Sequence, residues 1–405
     1  MAAFTCGAAV WPLSRHTLAY SHMHVIQEGT VTMARVIALG DAHLGRQYHS
    51  RTTAEGTNQR EADFEASFEA AVDLGLSLGP DVFVWLGDVF DQPRPGYRAF
   101  RVAQRALRRI RDHGIPLVAI SGNHDTPRLP GTGSPYAPLH DTFPDFHLAY
   151  QGAYAAFDLP GLRVHAVPQM LGVDETLEAL DVACDNHSAD RVNLLLTHPR
   201  VPQVEPRCRD VNEIEVDAGA LRSDLVLLGH YHVHTRVREG VWYAGSTDTF
   251  SFGDDPARPK GVVCLDTDAG TCIHHAVPGQ RPLSSPDPVA AAGLSPDELE
   301  VAIAQRAEQV PAGAVARLFV DGADPQAWRL LDHTRIQDAF AHALSFRLEP
   351  SFLDDAARVT DLPTRDAIGA RWARFLEHQD LCGYDSTRLR TLGDDLIRTA
   401  VDEAG

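Results

Sequence analysis

The stretch LLGHYHVH, residues 227–234, sets three histidines at alternate positions directly behind an apolar run. Taken alone it reads more readily as a histidine-rich polar hairpin than as a ligand set, because a short motif is only a hypothesis until its context is known. The context lies at the ends of the other apolar runs. Val36 to Gly40 leads into Asp41-Ala42-His43, and Val82 to Gly87 into Asp88-Val89-Phe90-Asp91. A third run ends in Gly122-Asn123-His124-Asp125, and a fourth in His198. Any one of these could be a turn held by Asx hydrogen bonds. Five in succession, each behind an apolar run, are what several strand ends converging on one mouth of a sheet would produce.

Carboxylate and amide oxygens mixed with imidazoles, without thiolate, suit borderline or hard divalent ions such as manganese, iron or zinc, rather than a structural zinc site. Asp41, His43, Asp88, Asn123, His198, His230 and His232 offer too many donors for one such ion and enough for two. Two ions about 3.5 to 4 Å apart clamp the attacking and leaving oxygens of a phosphoryl displacement. Asp88 is the natural bridge between them, and His234 is expected on the exposed side of the hairpin.

The elements needed to position these residues are legible. Short apolar runs alternate with amphipathic stretches, the pattern of a layered α/β or sandwich protein. Strands are expected at Val36 to Leu39, Val82 to Leu86, Leu117 to Ile120, Val192 to Leu196, Leu225 to Leu228 and Val241 to Ala244. Helices are expected over 61–78 and 97–114, the first with Phe64, Phe68, Val72 and Gly75 on one face, the second ending at Gly114. The Pro- and Ser-rich segment 281–298 reads as a linker. VARLFV (315–320), a helix over 325–343 and FRLE (346–349) would form a small β-α-β unit. Two helical stretches, around 365–378 and 386–403, close the chain.

Composition bounds the rest. A chain of 405 residues implies two or three domains, expected here as an extension over 1–32 (disordered, or not part of the working chain), a metal-site domain over 33–277, a linker and cap over 278–360 and C-terminal helices over 361–405. Six scattered cysteines without a CxxC pair fit a reducing cytoplasm, and no apolar run approaches a membrane span. The net charge of −19 argues against a surface coated for nucleic acid. Lys260 is the sole lysine, so positive charge is carried almost wholly by arginine. Arg98, Arg101, Arg105, Arg108, Arg109 and Arg111 gather on one helix, as either a solvated face or one that meets DNA or flanks a dimer contact.

DAH, GDVFD, GNHD, THP and GHYH resemble the five motifs of the calcineurin-like metallophosphoesterases over residues 35 to about 250. The resemblance implies an α/β (α+β) fold, a four-layer β-sandwich flanked by helices with a small cap. It places Asp41, His43, Asp88 and His232 on one metal and Asp88, Asn123, His198 and His230 on the other. His124 becomes the imidazole that faces the scissile phosphate, positioned by Asp125. DAHLG, GDVFDQPRP and YAGSTDTFSFGDDPARPKG (243–261) further resemble the SbcD/Mre-type DNA repair exonucleases. That likeness implies manganese (with iron, zinc or magnesium as alternatives), DNA ends as substrate, a homodimer, and an SMC-like coiled-coil ATPase docked on the C-terminal helices. Asp91 stands where the Mre branch carries histidine and agrees with the SbcD branch; it could orient His124 or the leaving group. Thr247-Asp248-Thr249 departs from the relatives' pattern, which leaves substrate contacts there open. A phosphatase or small-molecule phosphodiesterase on the same site, or a scaffold that keeps the fold without catalysis, are the competing readings.

Overall fold

The computed structural model describes residues 34–49, 51–205, 212–254, 257–353, 372, 373, 376 and 385–404. The expected extension over 1–32 and nearly all of the expected helix around 365–378 lie outside them.

Two six-stranded sheets form the body. The first holds β1 (Arg35–Leu39), β2 (Val82–Leu86), β3 (Leu117–Ile120) and β4 (His147–Ala149), all parallel. The second holds β5 (Ala155–Leu159) antiparallel to β6 (Leu162–Ala166), then β7 (Val192–Thr197), β8 (Leu225–Leu228), β9 (Thr235–Arg238) and β10 (Val241–Tyr243) in the order β5-β6-β7-β8-β10-β9. The chain then returns to the first sheet as the hairpin β11 (Gly261–Asp266) and β12 (Thr271–Ala276), which completes the order β12-β11-β1-β2-β3-β4. Six expected strands coincide with observed ones to within a residue. The hairpin and the 155–166 pair, with its half-exposed edge strand, were not foreseen.

Strand alternation decides which face each residue serves. Val36, Ala38, Val84 and Leu86 meet Val164, Leu194, Leu196 and Leu227 between the sheets. Ile37, Leu39, Phe83 and Trp85 point outward, under helices α1 (Gln59–Ser77), α2 (Tyr97–Asp112) and α3 (Tyr136–Thr142). Leu195, Val226 and Tyr243 lie under α4 (Val173–Asp185). Helix, sheet, sheet and helix therefore make four layers, and their parallel strands end on one side.

The arginines of α2 are largely spent within the fold. Arg98, Arg105 and Arg109 pair with Glu65, Glu69 and Asp73, which repeat every four residues along α1. Arg111 lies over the Phe143 ring.

The cap departs from the expected linker. Leu283–Ser284 (β13) and Val289–Ala290 (β14) pair in parallel with Val315–Ala323 (β15), which pairs on its other side with Ser345–Phe352 (β16). The prolines at 282, 286 and 288 flank these two-residue strands, where no ladder donor is lost. Ser295 then opens α5 (Pro296–Gln305) with a capping box to Glu298. The expected single helix over 325–343 is two, α6 (Pro325–Arg329) and α7 (His333–Ala339), because Asp332 accepts from Thr334 and Arg335 N–H and starts a new helix. The last helix is α8 (Ser386–Ala404).

Gly75 sits where α1 rests on the first sheet. A β-carbon there would stand 2.8 Å from the Phe83 ring and 2.9 Å from Ile37. Alanine gains about 0.5–1 kcal/mol of helix propensity over glycine, whereas overpacking a core costs roughly 1–3 kcal/mol. The clash wins, so Gly75→Ala should lower the urea midpoint; a raised midpoint would show that the helix yields freely.

Candidate metal centre

The strand ends of both sheets meet at one rim. Asp41 and His43 follow β1, Asp88 follows β2, Asn123 follows β3, His198 follows β7, and His230 and His232 follow β8. Asp41, His43, Asp88, Asn123 and His198 are buried; His230 and His232 are partly exposed. Five non-glycine residues among those described have positive φ, and four of them are Asp41 (49°), His43 (45°), Asp88 (48°) and His230 (90°). Left-handed backbone costs a side-chain-bearing residue roughly 1–2 kcal/mol. Its concentration here turns successive side chains back toward a common point.

Asp88 stands at the centre. Its Oδ2 lies 3.2 Å from His198 Nε2 and 3.9 Å from His43 Nε2, and its Oδ1 accepts from the His124 N–H at 2.8 Å. Asp41 Oδ1 accepts from the His230 N–H and lies 3.8 Å from His198 Nε2. His230 Nδ1 and Asn123 Oδ1 face each other at 3.2 Å. Asp41, His43 and His232 can share one ion, as can Asp41, Asp88 and His198. The glycines of the motifs permit this closeness. A β-carbon on Gly122 would lie 2.2 Å from Asp88 Oδ1, and one on Gly229 would lie 2.5 Å from His198 Nδ1.

These groups fit divalent cations. Asp41 Oδ2 and His198 Nε2 are buried without a hydrogen bond, which in a folded interior calls for a partner. Among the described residues, no arginine or lysine pairs with Asp41 or Asp88. Burial, with Asp88 nearby, pushes Asp41 up to about 6. Burial opposes charge on His198, but the Asp88 and Asp41 carboxylates outweigh it and hold that imidazole at about 9. Burial pushes His43 down to about 4.

Behind the ligands stands a layer of partners that fixes tautomers. His43 Nδ1 donates to Asp91 Oδ1 at 3.1 Å, His232 Nδ1 to Asp254 Oδ1 at 3.1 Å, and His198 Nδ1 to the Leu86 carbonyl at 2.6 Å. Each turns Nε2 toward the centre, where the neutral ring presents a lone pair, and the Nε2 atoms of His43 and His232 face each other at 3.2 Å. Two lone pairs so placed repel unless a cation is shared, the carboxylate–histidine–metal arrangement. Phe250 packs edge-on against both rings.

Asp91 thus backs His43 and accepts from Arg46 at 3.3 Å, while its main-chain carbonyl accepts from His124 Nδ1 at 3.1 Å. Asp125 does not touch the His124 ring. Its Oδ1 accepts from Gly122 N–H and its Oδ2 from Val89 N–H and Tyr136 Oη, so it locks the turns that carry Asn123 and Asp88. Thr247, Asp248 and Thr249 are buried; Asp248 accepts from Ser67 at 2.5 Å and pairs with Arg60, which makes them framework rather than open substrate contacts. His234 is half-buried, donating to the Tyr243 carbonyl and stacked on His274, instead of exposed.

Sequence reasoning did not reach Asp254, Phe250 or the role of Lys260. The Lys260 ammonium, buried, donates to the His232 carbonyl at 2.6 Å and the Asp254 carbonyl at 2.9 Å. One side chain therefore ties a ligand to the carboxylate that orients it. Burial opposes ionisation of Asp254, yet His232, the Ser251 N–H and Lys260 hold it well below the usual carboxylate range. The signal available was compositional: the sole lysine falls inside the stretch 243–261.

A divalent cation that binds here should stabilise the fold with the logarithm of its free concentration, by about 2.7 kcal/mol at a hundred times Kd, and Asp88→Ala should abolish the rise in thermal midpoint that this produces. Loss of an outer partner weakens metal sites about 10–100-fold, so Lys260→Met should weaken divalent-cation binding within that range by calorimetry. Unchanged affinity in Lys260→Met would remove the clamp from the account.

The family model for the calcineurin-like phosphoesterases matches residues 34–234. Among the curated proteins to which the chain is similar are several named "DNA double-strand break repair protein Mre11". That of Saccharolobus solfataricus is 27% identical over 206 residues, 51% of each chain. That of Thermoplasma acidophilum is 30% identical, covering 57% of this chain and 61% of the relative. That of Halobacterium salinarum is 31% identical, covering 60% and 59%. The chain thus spans between half and three fifths of the length of these relatives. On its motifs, its fold and these likenesses, residues 34–234 are a calcineurin-like phosphoesterase domain, and the chain is similar to the Mre11 proteins over that region and a little beyond.

Proposed function

We propose that the chain is a dinuclear-metal phosphodiesterase that cuts DNA, with manganese as its ion, as a homodimer beside an SMC-like coiled-coil ATPase. The observation that carries the chemistry is Asp88 Oδ2 set between the imidazoles of His43 and His198, with Asp41, Asn123, His230 and His232 around it. A bound metal pair polarises the phosphodiester and lowers the pKa of water so that a nucleophile is available near neutrality. The DNA assignment rests on the relatives' printed role.

The chain's own residues supply the proton and the alignment. His124 is about a third exposed at the rim of the metal-side cavity, which measures about 240 Å³. Burial opposes its charge, but Asp88 and the Asp91 carbonyl and carboxylate outweigh it and raise the imidazole above its ordinary value. Protonated and anchored through Nδ1, it can give the Nε2 proton to a leaving alkoxide, a general-acid role. Arg46 lines the same cavity and can meet phosphate oxygens.

On α8, Leu392 and Leu396 stand 57% and 63% exposed, which supports docking of a partner helix there. A chain lacking residues 363–405 that still co-purified with the ATPase would exclude it. The neutralised arginines of α2 favour a second reading, a small-molecule phosphodiesterase on the same centre.

Manganese-dependent degradation of an end-labelled duplex separates the two, since both would hydrolyse bis-p-nitrophenyl phosphate. His124→Ala should keep both metals and lose about 10²–10⁴-fold in duplex cleavage, whereas Asp88→Ala should lose metals and cleavage together. Full nuclease activity in His124→Ala would remove the general acid.

A further inference from the structure

Beyond His124 lies a second cavity of about 370 Å³, which shares Asn123 and His124 with the metal-side cavity. Pro93, Pro127 and Leu129 wall it, and Gln92 and Arg128 lie at its edge. Leu129 is 71% exposed, a large apolar side chain standing in water beside a polar centre.

In the proposed reaction a water oxygen forms the new bond to phosphorus while the bond to the departing nucleoside oxygen breaks. The electron pair goes to that oxygen, which takes the His124 Nε2 proton; the attacking water gives up its proton to solvent, from which the imidazole is protonated again. The departing group must therefore lie within hydrogen-bond reach of the imidazole. In that reaction the phosphate would lie in the metal-side cavity, and the cavity that continues past His124 is this one. Its volume falls within the range of small-molecule pockets, about 300–1,000 Å³. Two proline rings and a leucine offer apolar surface on which the face of a base can rest without its edges being read.

We propose that this cavity is the subsite for the nucleoside that leaves, with Leu129 as the residue that contacts its base; the inference rests on the DNA reading above. The test compares the manganese-loaded full chain with Leu129→Asp and Leu129→Phe on a short oligodeoxynucleotide and on bis-p-nitrophenyl phosphate, which carries no nucleoside. Leu129→Asp should raise KM for the oligonucleotide roughly tenfold, the scale of one lost aliphatic burial, with a much smaller effect on the nitrophenyl ester. Leu129→Phe should restore or lower that KM. Equal losses on both substrates, or none on the oligonucleotide, would overturn the subsite. So would a changed sedimentation mass with unaltered oligonucleotide kinetics, which would assign Leu129 to a contact between copies. If the wild-type chain cleaves the nitrophenyl ester and no DNA, the DNA reading fails and the subsite falls with it.

Discussion

Two buried carboxylates, Asp41 and Asp88, stand beside buried imidazoles without an arginine or lysine paired to either among the described residues. Burying charge without a counter-charge is among the most costly things a fold can do. Without a cation the relief is partial, a raised Asp41 and a His198 imidazole charged by its carboxylate neighbours; the carboxylates stay fixed by backbone N–H groups of His230 and His124, and the imidazoles by Nδ1 partners that hold their Nε2 atoms inward. Such a cluster is poised for cations, and most features of the rim follow from keeping it so.

The cost is spread over the backbone. Left-handed residues at Asp41, His43, Asp88 and His230 store strain where strands end. Glycines at 122 and 229 let two sheets approach until one histidine touches both. Asp125 ties the turn that carries Asn123 to the turn that carries Asp88 and never reaches the reacting groups. The layers of helix outside each sheet hold these ends in register.

The cap is coupled to this rim through polar contacts rather than a shared apolar core. Arg281 pairs with Asp63, which also pairs with Arg60; Arg60 donates to the Thr249 carbonyl, in the segment that runs on to Asp254. Arg317 of β15 lies over Phe252 in the same segment.

The sequence by itself determined the residue types of the centre and the strands behind them, because a buried parallel strand is a short continuous apolar run and each motif follows one directly. Asp41, Asp88, Asn123, His198, His230 and His232 could be named in advance on that ground. Local reading failed where a residue's partner is far along the chain. Asp91 backs His43 across 48 residues, Ser67 meets Asp248 across 181, and Lys260 reaches back 28 residues to the His232 carbonyl. It also failed in the cap, where proline-rich composition masked two strands of two residues each. Periodicity reports which face of an element is apolar; it carries no information about which distant polar groups that face brings together. That was decided by the packing of one sheet on the other, which alone set the ends of β2 and β7 within a hydrogen bond of each other.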